Sequence, residues 1–353
     1  MADYTTIDDP SAHFQTAIYT GDGNADRAIV NDGNSDLQPD WVWYKSRSHA
    51  TSHITYDSSR GDGPYLKPSD AGDEGTDANM FESFDSDGFS LNGDTDGNGS
   101  GRTYVAWQWK ANGGTTTSFS ESGNNPGGAR QTNTDAGFSI ITYTGTGANA
   151  SCALAHGLPS TPEMIFFKRR NADQVWATWH QGIGDDYKLE LNGTGGKDAD
   201  GAFMNSTLPD STNIYVGGTS VNTNADNGTY VCYAFSPVQG YSKFGSYVGN
   251  GDANGSFVYT GFKPAMIILK RTDATNNWLI YDHKRSGYNP KQDKLYPDDA
   301  SAEDASTTSV DLLSNGFKLR ASSASQNASG GTYIYMAFAE NPFVANGKPT
   351  TAR

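Results

Sequence analysis

The feature that most constrains the fold of this chain is an internal repeat, in which one pattern of residue types occurs three times. The segments are LQPDWVWYKSRSHATSHITYDSSR (37–60), TPEMIFFKRRNADQVWATWHQGIG (161–184) and FKPAMIILKRTDATNNWLIYDHKR (262–285). In each segment a proline precedes an apolar strand that ends in a lysine, and an aromatic residue follows eleven positions after that lysine. The lysines are Lys45, Lys168 and Lys270, and the aromatic residues are Tyr56, Trp179 and Tyr281. Matching residue types at fixed offsets predict one structural unit used three times.

Each repeat also opens with a hairpin pattern and closes with a strand that has a clear apolar face. The hairpins begin at Tyr19, Tyr143 and Tyr247. Side chains alternate across a strand, so the larger apolar residues of each closing strand share one face, which we predict to be core. These residues are Val105, Trp107 and Trp109; Val231, Tyr233 and Phe235; and Ile334, Met336 and Phe338.

Composition predicts an all-β protein. The chain has 41 glycines, short apolar runs separated by Asn, Asp, Ser and Thr, and no sustained 3.6-residue periodicity. We therefore expect three domains of roughly 100 residues, each able to bury its own core. The predicted parts are an amino-terminal arm (1–14), repeat one (15–110), a Gly/Ser/Thr/Asn-rich linker (111–136), repeat two (137–236), repeat three (237–343) and a carboxy-terminal tail (344–353). An unstructured linker of that length would let the first domain sit apart from the second.

Charge and hydropathy exclude two classes of partner. A net charge of −15 disfavours nucleic acid, because the phosphate backbone is also anionic. There is no apolar run near 20 residues, so we expect no membrane span, and the amino terminus has no signal-peptide pattern, which predicts synthesis in a cytoplasm. Cys152 and Cys232 both lie in repeat two, where they form either a disulfide or two small buried thiols.

The best local candidate for a metal site is the string Asp94-Thr95-Asp96-Gly97-Asn98-Gly99. Its D-x-D-x-N-G order matches the first half of a calcium loop, so Asp94, Asp96 and Asn98 are candidate ligands. The position that would hold the bidentate glutamate is Val105. An ordinary Gly/Asp turn before a strand gives the same string. We expect no other cofactor.

Aromatic side chains are candidates for ligand contact because their faces stack on sugar rings. Most tryptophans fall on strand positions that fill a core. Tyr56, Trp179 and Tyr281 come at strand ends before loops, and we predict them as exposed ligand contacts, together with Tyr65 and Tyr288.

Nothing in the sequence favours catalysis. The histidines have neither metal-ligand spacing nor a Ser or Cys partner. Asp57 and Asp282 recur in repeats one and three, whereas repeat two has His180. Because a general acid or base would not vary between copies, we expect a structural role such as pairing with Arg60 and Arg285.

At PDWVWYKSRS, FDSDGFSLNG, YVAWQWKANG, YSKFGSYVGNG, FVYTGFKPA, LLSNGFKLR and YIYMAFAENPF, the chain resembles a family of virion proteins from tailed bacteriophages, frequent in phages of marine bacteria. The resemblance covers nearly the full length, from TTIDDPSAHFQT to KPTTAR. It implies a virion component with tandem β-sandwich domains similar to lectin-like jelly rolls, and it brings no catalytic motif.

Three functions follow as hypotheses. The first is a non-enzymatic tail or head fibre that binds a host-surface glycan, since repeated weak sites raise avidity. The second is a decoration or cement protein that contacts only other virion proteins. The third is a glycan depolymerase, which would need two carboxylates about 5–10 Å apart in a groove. We expect a homo-oligomer in the virion, with either the arm or the tail as its anchor.

Overall fold

The computed structural model describes residues 4–218, 220–306, 309–345 and 348–349. Within these residues the protein is all-β, as predicted, with antiparallel strands and two short 3-10 helices, Pro10–Ala12 and Gln181–Ile183. No helix in this part of the chain has both the length and the apolar character needed to cross a membrane.

The strands fall into three consecutive groups, which we call units 1, 2 and 3. Unit 1 contains β1 (Phe14–Thr20), β2 (Arg27–Val30), β3 (Trp41–Ser46), β4 (Ile54–Asp57), β5 (Gly61–Leu66), β6 (Gly75–Thr76), β7 (Phe81–Asp85), β8 (Gly88–Leu91) and β9 (Thr103–Trp109). Unit 2 contains β10 (Thr117–Phe119), β11 (Gly127–Asn133), β12 (Phe138–Thr144), β13 (Ser151–Ala155), β14 (Met164–Arg169), β15 (Ala177–His180), β16 (Tyr187–Glu190), β17 (Asp198–Ala199), β18 (Asn213–Gly217) and β19 (Thr229–Phe235). Unit 3 contains β20 (Ser242–Val248), β21 (Phe257–Tyr259), β22 (Phe262–Arg271), β23 (Leu279–Asp282), β24 (Val310–Leu313), β25 (Gly316–Leu319), β26 (Thr332–Pro342), β27 (Val344–Ala345) and β28 (Lys348–Pro349).

Each unit has a large sheet and a small sheet, and the large sheets share one strand order. That order is β1-β9-β3-β4 in unit 1, β12-β19-β14-β15 in unit 2 and β20-β26-β22-β23 in unit 3. The closing strand therefore lies between the opening strand and the lysine-ended strand every time. The small sheets are β2-β8-β7, β13-β18 and β21-β25-β24. In units 1 and 3 the small sheet packs on one face of the large sheet to form a separate sandwich core.

The other face of each large sheet packs into a single core shared by all three units. Trp109, Phe235 and Phe338 occupy the same position on the three closing strands, and their rings meet edge to face in all three pairs. The ring centroids are 6.5 Å, 5.7 Å and 5.6 Å apart. The predicted large apolar faces are thus core, but they fill the space between the units. Units 1 and 3 thus keep sandwich cores of their own, but the shared core joins all three units, so they do not pack as three independent domains.

Residues 111–136 are not an unstructured linker. They contain β10 and β11, which form one side of the unit 2 sheet, and β11 pairs with β12 along its whole length. The predicted amino-terminal arm also buries more than its sequence suggested. Ile7 and Phe14 lie in the shared core, and Phe14 stacks on Phe338 with ring centroids 5.1 Å apart. Part of the predicted tail, residues 346–347 and 350–353, lies outside the described residues.

Cys152 and Cys232 are both free and buried. They match the prediction of two small buried thiols in unit 2.

Candidate functional site

The three aromatic residues predicted to contact a ligand are buried. Tyr56 and Tyr281 have no exposed surface, and Trp179 is almost completely covered. Tyr56 stacks on Phe81 of the small sheet with centroids 4.5 Å apart. The prediction of exposed contacts at these strand ends is therefore contradicted. Both faces of each large sheet are covered, so neither face of these strands reaches solvent.

The predicted calcium loop folds as a turn that holds the opening hairpin of unit 1. The Asn98 amide nitrogen donates to Asp22 Oδ1 at 3.0 Å and to the Asn24 carbonyl at 2.8 Å. Its side-chain oxygen accepts from the Asp22 N–H at 3.1 Å. The Asp94 carboxylate accepts from the Asp96 N–H, and burial together with Asp94 raises the pKa of Asp96. All of the described side-chain hydrogen bonds of Asn98 thus go to the hairpin, and no group of three His, Cys, Asp or Glu side chains in the described ranges is arranged to hold a metal.

The same turn occurs in all three units, which shows that it belongs to the repeat. Asn224 accepts from the Thr146 N–H, and Asn327 accepts from the Asn250 N–H, as Asn98 does from Asp22. A tyrosine follows each asparagine by six residues, and it stacks on the tyrosine that opens the unit. The pairs are Tyr19–Tyr104, Tyr143–Tyr230 and Tyr247–Tyr333, with ring centroids 5.2 Å, 5.0 Å and 5.0 Å apart. The sequence signal for this cluster is N-x5-Y at the start of each closing strand, which the sequence analysis missed.

The repeated lysines are buried without a carboxylate partner. Lys45, Lys168 and Lys270 donate to backbone carbonyls instead. Lys168 reaches the Ala71 carbonyl of unit 1 at 2.9 Å, and Lys270 reaches the Thr194 carbonyl of unit 2 at 2.8 Å. Burial lowers the pKa of all three lysines to about 8. Lys168 and Lys270 therefore hold adjoining units together.

A buried ion-pair network lies between units 1 and 2. Arg60 donates to Asp57 at 2.5 Å and to Glu74 at 2.9 Å, and both the Arg60 and the Asp57 side chains are fully buried. Arg170 of unit 2 binds Glu74 through two nitrogens, each at 2.8 Å. Burial alone would raise the pKa of Glu74, but the Arg170 and Arg60 guanidiniums lower it overall. The hydroxyl of Tyr233 completes the network by donating to Asp57.

An equivalent network lies between units 3 and 1. Arg285 donates to Asp282 at 2.6 Å and to Glu303 at 3.1 Å. Arg47 of unit 1 binds Glu303 at 2.8 Å, and the Trp107 indole donates to Asp282. The expected pairing of Asp57 with Arg60 and of Asp282 with Arg285 is therefore confirmed. Because unit 3 returns to unit 1 in this way, the contacts between units close into a ring.

The contact between units 2 and 3 has the same backbone hydrogen bond as the other two boundaries, but it lacks their buried aspartate–arginine pair. The Lys197 backbone N–H donates to the Thr272 carbonyl at 2.8 Å. At the other two boundaries the backbone N–H of Glu74 donates to the Arg170 carbonyl, and that of Glu303 donates to the Arg47 carbonyl. His180 replaces the aspartate and Ile183 replaces the arginine. His180 Nε2 lies 3.3 Å from the Tyr335 carbonyl, and burial lowers its pKa to about 4. This difference explains why the repeat varies at position 180.

Two neighbouring surface cavities, of about 190 and 310 Å³, share His283 and Glu340 in their walls. The first lies between units 3 and 1, and the second lies within unit 3. Lys263 binds Glu340 at 2.8 Å, and Lys284 binds Asp32 at 2.7 Å. Burial lowers the pKa of His283. Four of the charged side chains thus form two ion pairs, while Lys291 in the second cavity donates to the backbone carbonyls of His283 and Ser286.

Exposed aromatic side chains are concentrated in unit 3, which the sequence analysis did not anticipate apart from Tyr288. Within the described residues, Phe257, Tyr259, Tyr288 and Phe343 are the aromatic side chains with large exposed surface. Phe257 and Tyr259 share the outer face of β21.

A sequence model of one family matches the chain over residues 9–342, and its description is "Domain of unknown function (DUF7483)". The match spans all three units. No curated protein and no solved structure matches the chain.

Proposed function

Because the chain belongs to the DUF7483 family, whose description names no activity, we propose a function from its own structure and from the resemblance to phage virion proteins. The function is that of a non-enzymatic virion structural protein, a tail or head fibre component displayed on the particle for adhesion to the host surface. It is made in the bacterial host cytoplasm and assembled with other virion proteins.

The observation that carries this proposal is the closure of three units into one ring. Unit 1 contacts unit 2 through Glu74 and Arg170, and unit 3 returns to unit 1 through Glu303 and Arg47. A body closed in this way has no free end at which one unit can peel away from the others. Such rigidity suits a particle surface, where a protein persists without turnover.

The placement of the charged groups also favours a non-enzymatic role. The buried carboxylates of Asp57 and Asp282 are held by fully buried arginines, so neither has a free lone pair facing a groove. The Lys263–Glu340 pair lines a cavity of about 310 Å³ and is likewise matched in charge. A depolymerase would need two carboxylates poised across a groove, one of them with a raised pKa.

Attachment near Tyr4 and Phe343 is consistent with the fold. The Tyr4 hydroxyl donates to the Gly261 carbonyl of unit 3, and the Tyr4 ring packs on Phe343 with centroids 6.3 Å apart. The segments around these two residues therefore lie together on one side of unit 3, where a single virion partner can hold them.

Binding of fluorescently labelled protein to intact host cells tests the adhesive role, and antibody labelling of purified particles tests the virion location. The proposal expects saturable binding to cells together with regular labelling of the particle. Regular labelling without binding to cells would replace adhesion by the decoration or cement role. Absence from the particle would overturn the virion assignment itself.

A further inference from the structure

The outer face of the unit 3 small sheet carries a row of exposed aromatic rings. Phe257 is 47% exposed and Tyr259 is 51% exposed, while Val258 between them points into the sandwich core. Alternate residues of a strand lie on one face about 7 Å apart. Tyr4 and Phe343 continue the row beyond Tyr259, since the Tyr4 hydroxyl binds the Gly261 carbonyl and its ring packs on Phe343. We call these four residues the aromatic row.

The row has no counterpart in unit 1, and its Tyr259 ring is held in place. In unit 1 the matching strand positions are Ala28 and Val30, as the pairing of β2 with β8 and of β21 with β25 shows. Lys243 lies over the Tyr259 ring, with its ammonium 5.1 Å from the centroid, and donates to the Tyr259 carbonyl at 2.9 Å. A ring fixed in this way loses little conformational entropy when a ligand stacks on it.

Basic side chains flank the row, although the chain as a whole has a net charge of −15. Lys318 stands directly across from Phe257 on β25, and Lys243 lies beside Tyr259. Arg320, the residue after β25, is paired with Asp311, which stands across from Lys318 on β24. Lys243, Lys318 and Arg320 outnumber the nearby carboxylates of Asp311 and Glu163, so the local charge is positive and complements a ligand that carries acidic groups.

The row is too small for an independent protein interface. An aromatic side chain offers roughly 150–250 Å², so two half-exposed rings and the edge of Phe343 present roughly 200–300 Å². A stable protein–protein interface buries about 800 Å² on each partner. A narrow aromatic strip bordered by cations instead fits a chain of sugar rings that stack their apolar faces and place acidic substituents against lysines.

We propose that the aromatic row binds an acidic polysaccharide, with its sugar rings on Phe257 and Tyr259 and its carboxylate or sulfate groups against Lys243 and Lys318. This inference deepens the proposed adhesive function and rests on it. It places the ligand contact in unit 3, at positions other than Tyr56, Trp179 and Tyr281.

The test compares binding of a polyuronate oligosaccharide with that of a neutral dextran oligosaccharide of equal length, using full-length protein and calorimetry. We expect the polyuronate to bind more tightly and Phe257→Ala or Tyr259→Ala to weaken it about tenfold or more. Lys318→Gln should weaken polyuronate binding and reduce its salt dependence. Val221→Ala is the control, since Val221 is a 47% exposed apolar residue of unit 2, outside the row.

The inference would be overturned if the polyuronate did not bind, or if dextran bound as tightly as the polyuronate. It would also be overturned if a folded Phe257→Ala/Tyr259→Ala variant bound the polyuronate as tightly as the wild type. Dimerisation of the wild type through the row, measured by sedimentation, would be a fourth contrary outcome. Thermal unfolding of each variant shows that it is folded. Host-cell binding by the double variant separates the two proposals. If cells still bind it as well as the wild type, the row is excluded while the adhesive function stands, whereas absence of wild-type binding to cells removes the adhesive function itself.

Discussion

The hydroxyl of Tyr233 donates to Asp57 Oδ2 at 2.6 Å across the boundary between units 1 and 2. Trp107 makes the corresponding contact to Asp282 across the boundary between units 3 and 1, at 3.2 Å. In both places a donor on a closing strand reaches the aspartate of a neighbouring unit. The closing strands are thus the elements that connect the three units, through apolar packing and through a polar contact at the edge of the shared core.

The Asp57 network predicts a large loss of stability on removal of its buried charge. Asp57→Asn leaves the fully buried Arg60 guanidinium with only part of its compensation. Breaking a buried ion pair in this way costs about 3–5 kcal/mol. Chemical unfolding measures the loss. Asp32→Asn is the control, because the exposed Asp32–Lys284 pair contributes about 0–1 kcal/mol, and equal losses in the two variants would contradict the interpretation.

At the boundary of units 2 and 3, His180 and Ile183 stand where the other two boundaries have an aspartate and an arginine. We therefore expect the effects of substitutions at positions 180 and 183 on stability to be coupled. His180→Asp places a carboxylate where Ile183 offers no positive charge, so we expect a loss of about 3 kcal/mol or more. Adding Ile183→Arg should recover more than about 1 kcal/mol of that loss, because the pair then matches Asp57 and Arg60. A double-mutant cycle in urea measures this coupling. Additive effects of the two changes would show that the positions act independently.

The Asn98 turn predicts a structural effect that calcium does not influence. Asn98→Ala leaves the Asp22 N–H and the Asn24 carbonyl without their partner, which costs about 1–3 kcal/mol. We expect similar losses for Asn224→Ala and Asn327→Ala, and no change in Tm when calcium is added or chelated. A calcium site at a hundredfold excess over Kd would stabilise the wild type by about 2.7 kcal/mol, and loss of that gain in Asp94→Asn would restore the metal hypothesis.

Local patterns in the sequence predict the strands and their faces, but they do not predict what covers each face. The alternation of Val105, Trp107 and Trp109 correctly predicts a core face, because period-two alternation depends only on strand geometry. The same pattern shows neither that this core lies between units nor that the small sheet covers the opposite face, and the second point is why Tyr56 and Tyr281 are predicted as exposed. Their other neighbours come from the small sheet, whose contacts are distant in sequence.

Composition was a poor guide to the segment between the first two units. Glycine and serine are frequent in residues 111–136, which suggests a flexible linker, yet β11 gains a full set of partners from β12. These residues are ordered because β11 pairs with β12 on one side and with the edge strand β10 on the other. The aromatic row escaped prediction for a related reason, since alternate residues on a short strand such as β21 reveal a shared face but not which face is outward.

Buried histidines predict that the protein loses stability in mild acid. Burial lowers the pKa of His13, His53, His156, His180 and His283 below the usual 6.5. The unfolded chain therefore binds more protons than the folded one below pH 6.5, and stability falls as the pH drops. For His180, whose pKa is about 4, the full effect is about 3 kcal/mol. Between pH 6.5 and about 5, the free energy of unfolding should change less with pH in His180→Gln than in the wild type. His49→Gln, at an exposed position, is the control and should leave this slope unchanged. A slope in His180→Gln equal to that of the wild type would show that His180 does not cause the acid sensitivity.

The three buried lysines predict a slope of the same sign on the alkaline side. Burial lowers the pKa of Lys45, Lys168 and Lys270 from 10.5 to about 8. Between these values the unfolded chain holds protons that the folded chain has released, so stability rises with pH by about 1–3 kcal/mol per lysine. The free energy of unfolding should be measured from pH 8 to about 9.5, because tyrosines in the unfolded chain ionise near pH 10.

Lys270→Met should lower stability at pH 7, because the Thr194 carbonyl of unit 2 loses its donor, and should also reduce the alkaline rise in stability by about one third. Lys110→Met, at a partly exposed position, is the control and should leave the rise unchanged. A rise that persists in Lys270→Met would mean that this lysine stays charged throughout the range, held by the two carbonyls that it joins across the boundary of units 2 and 3.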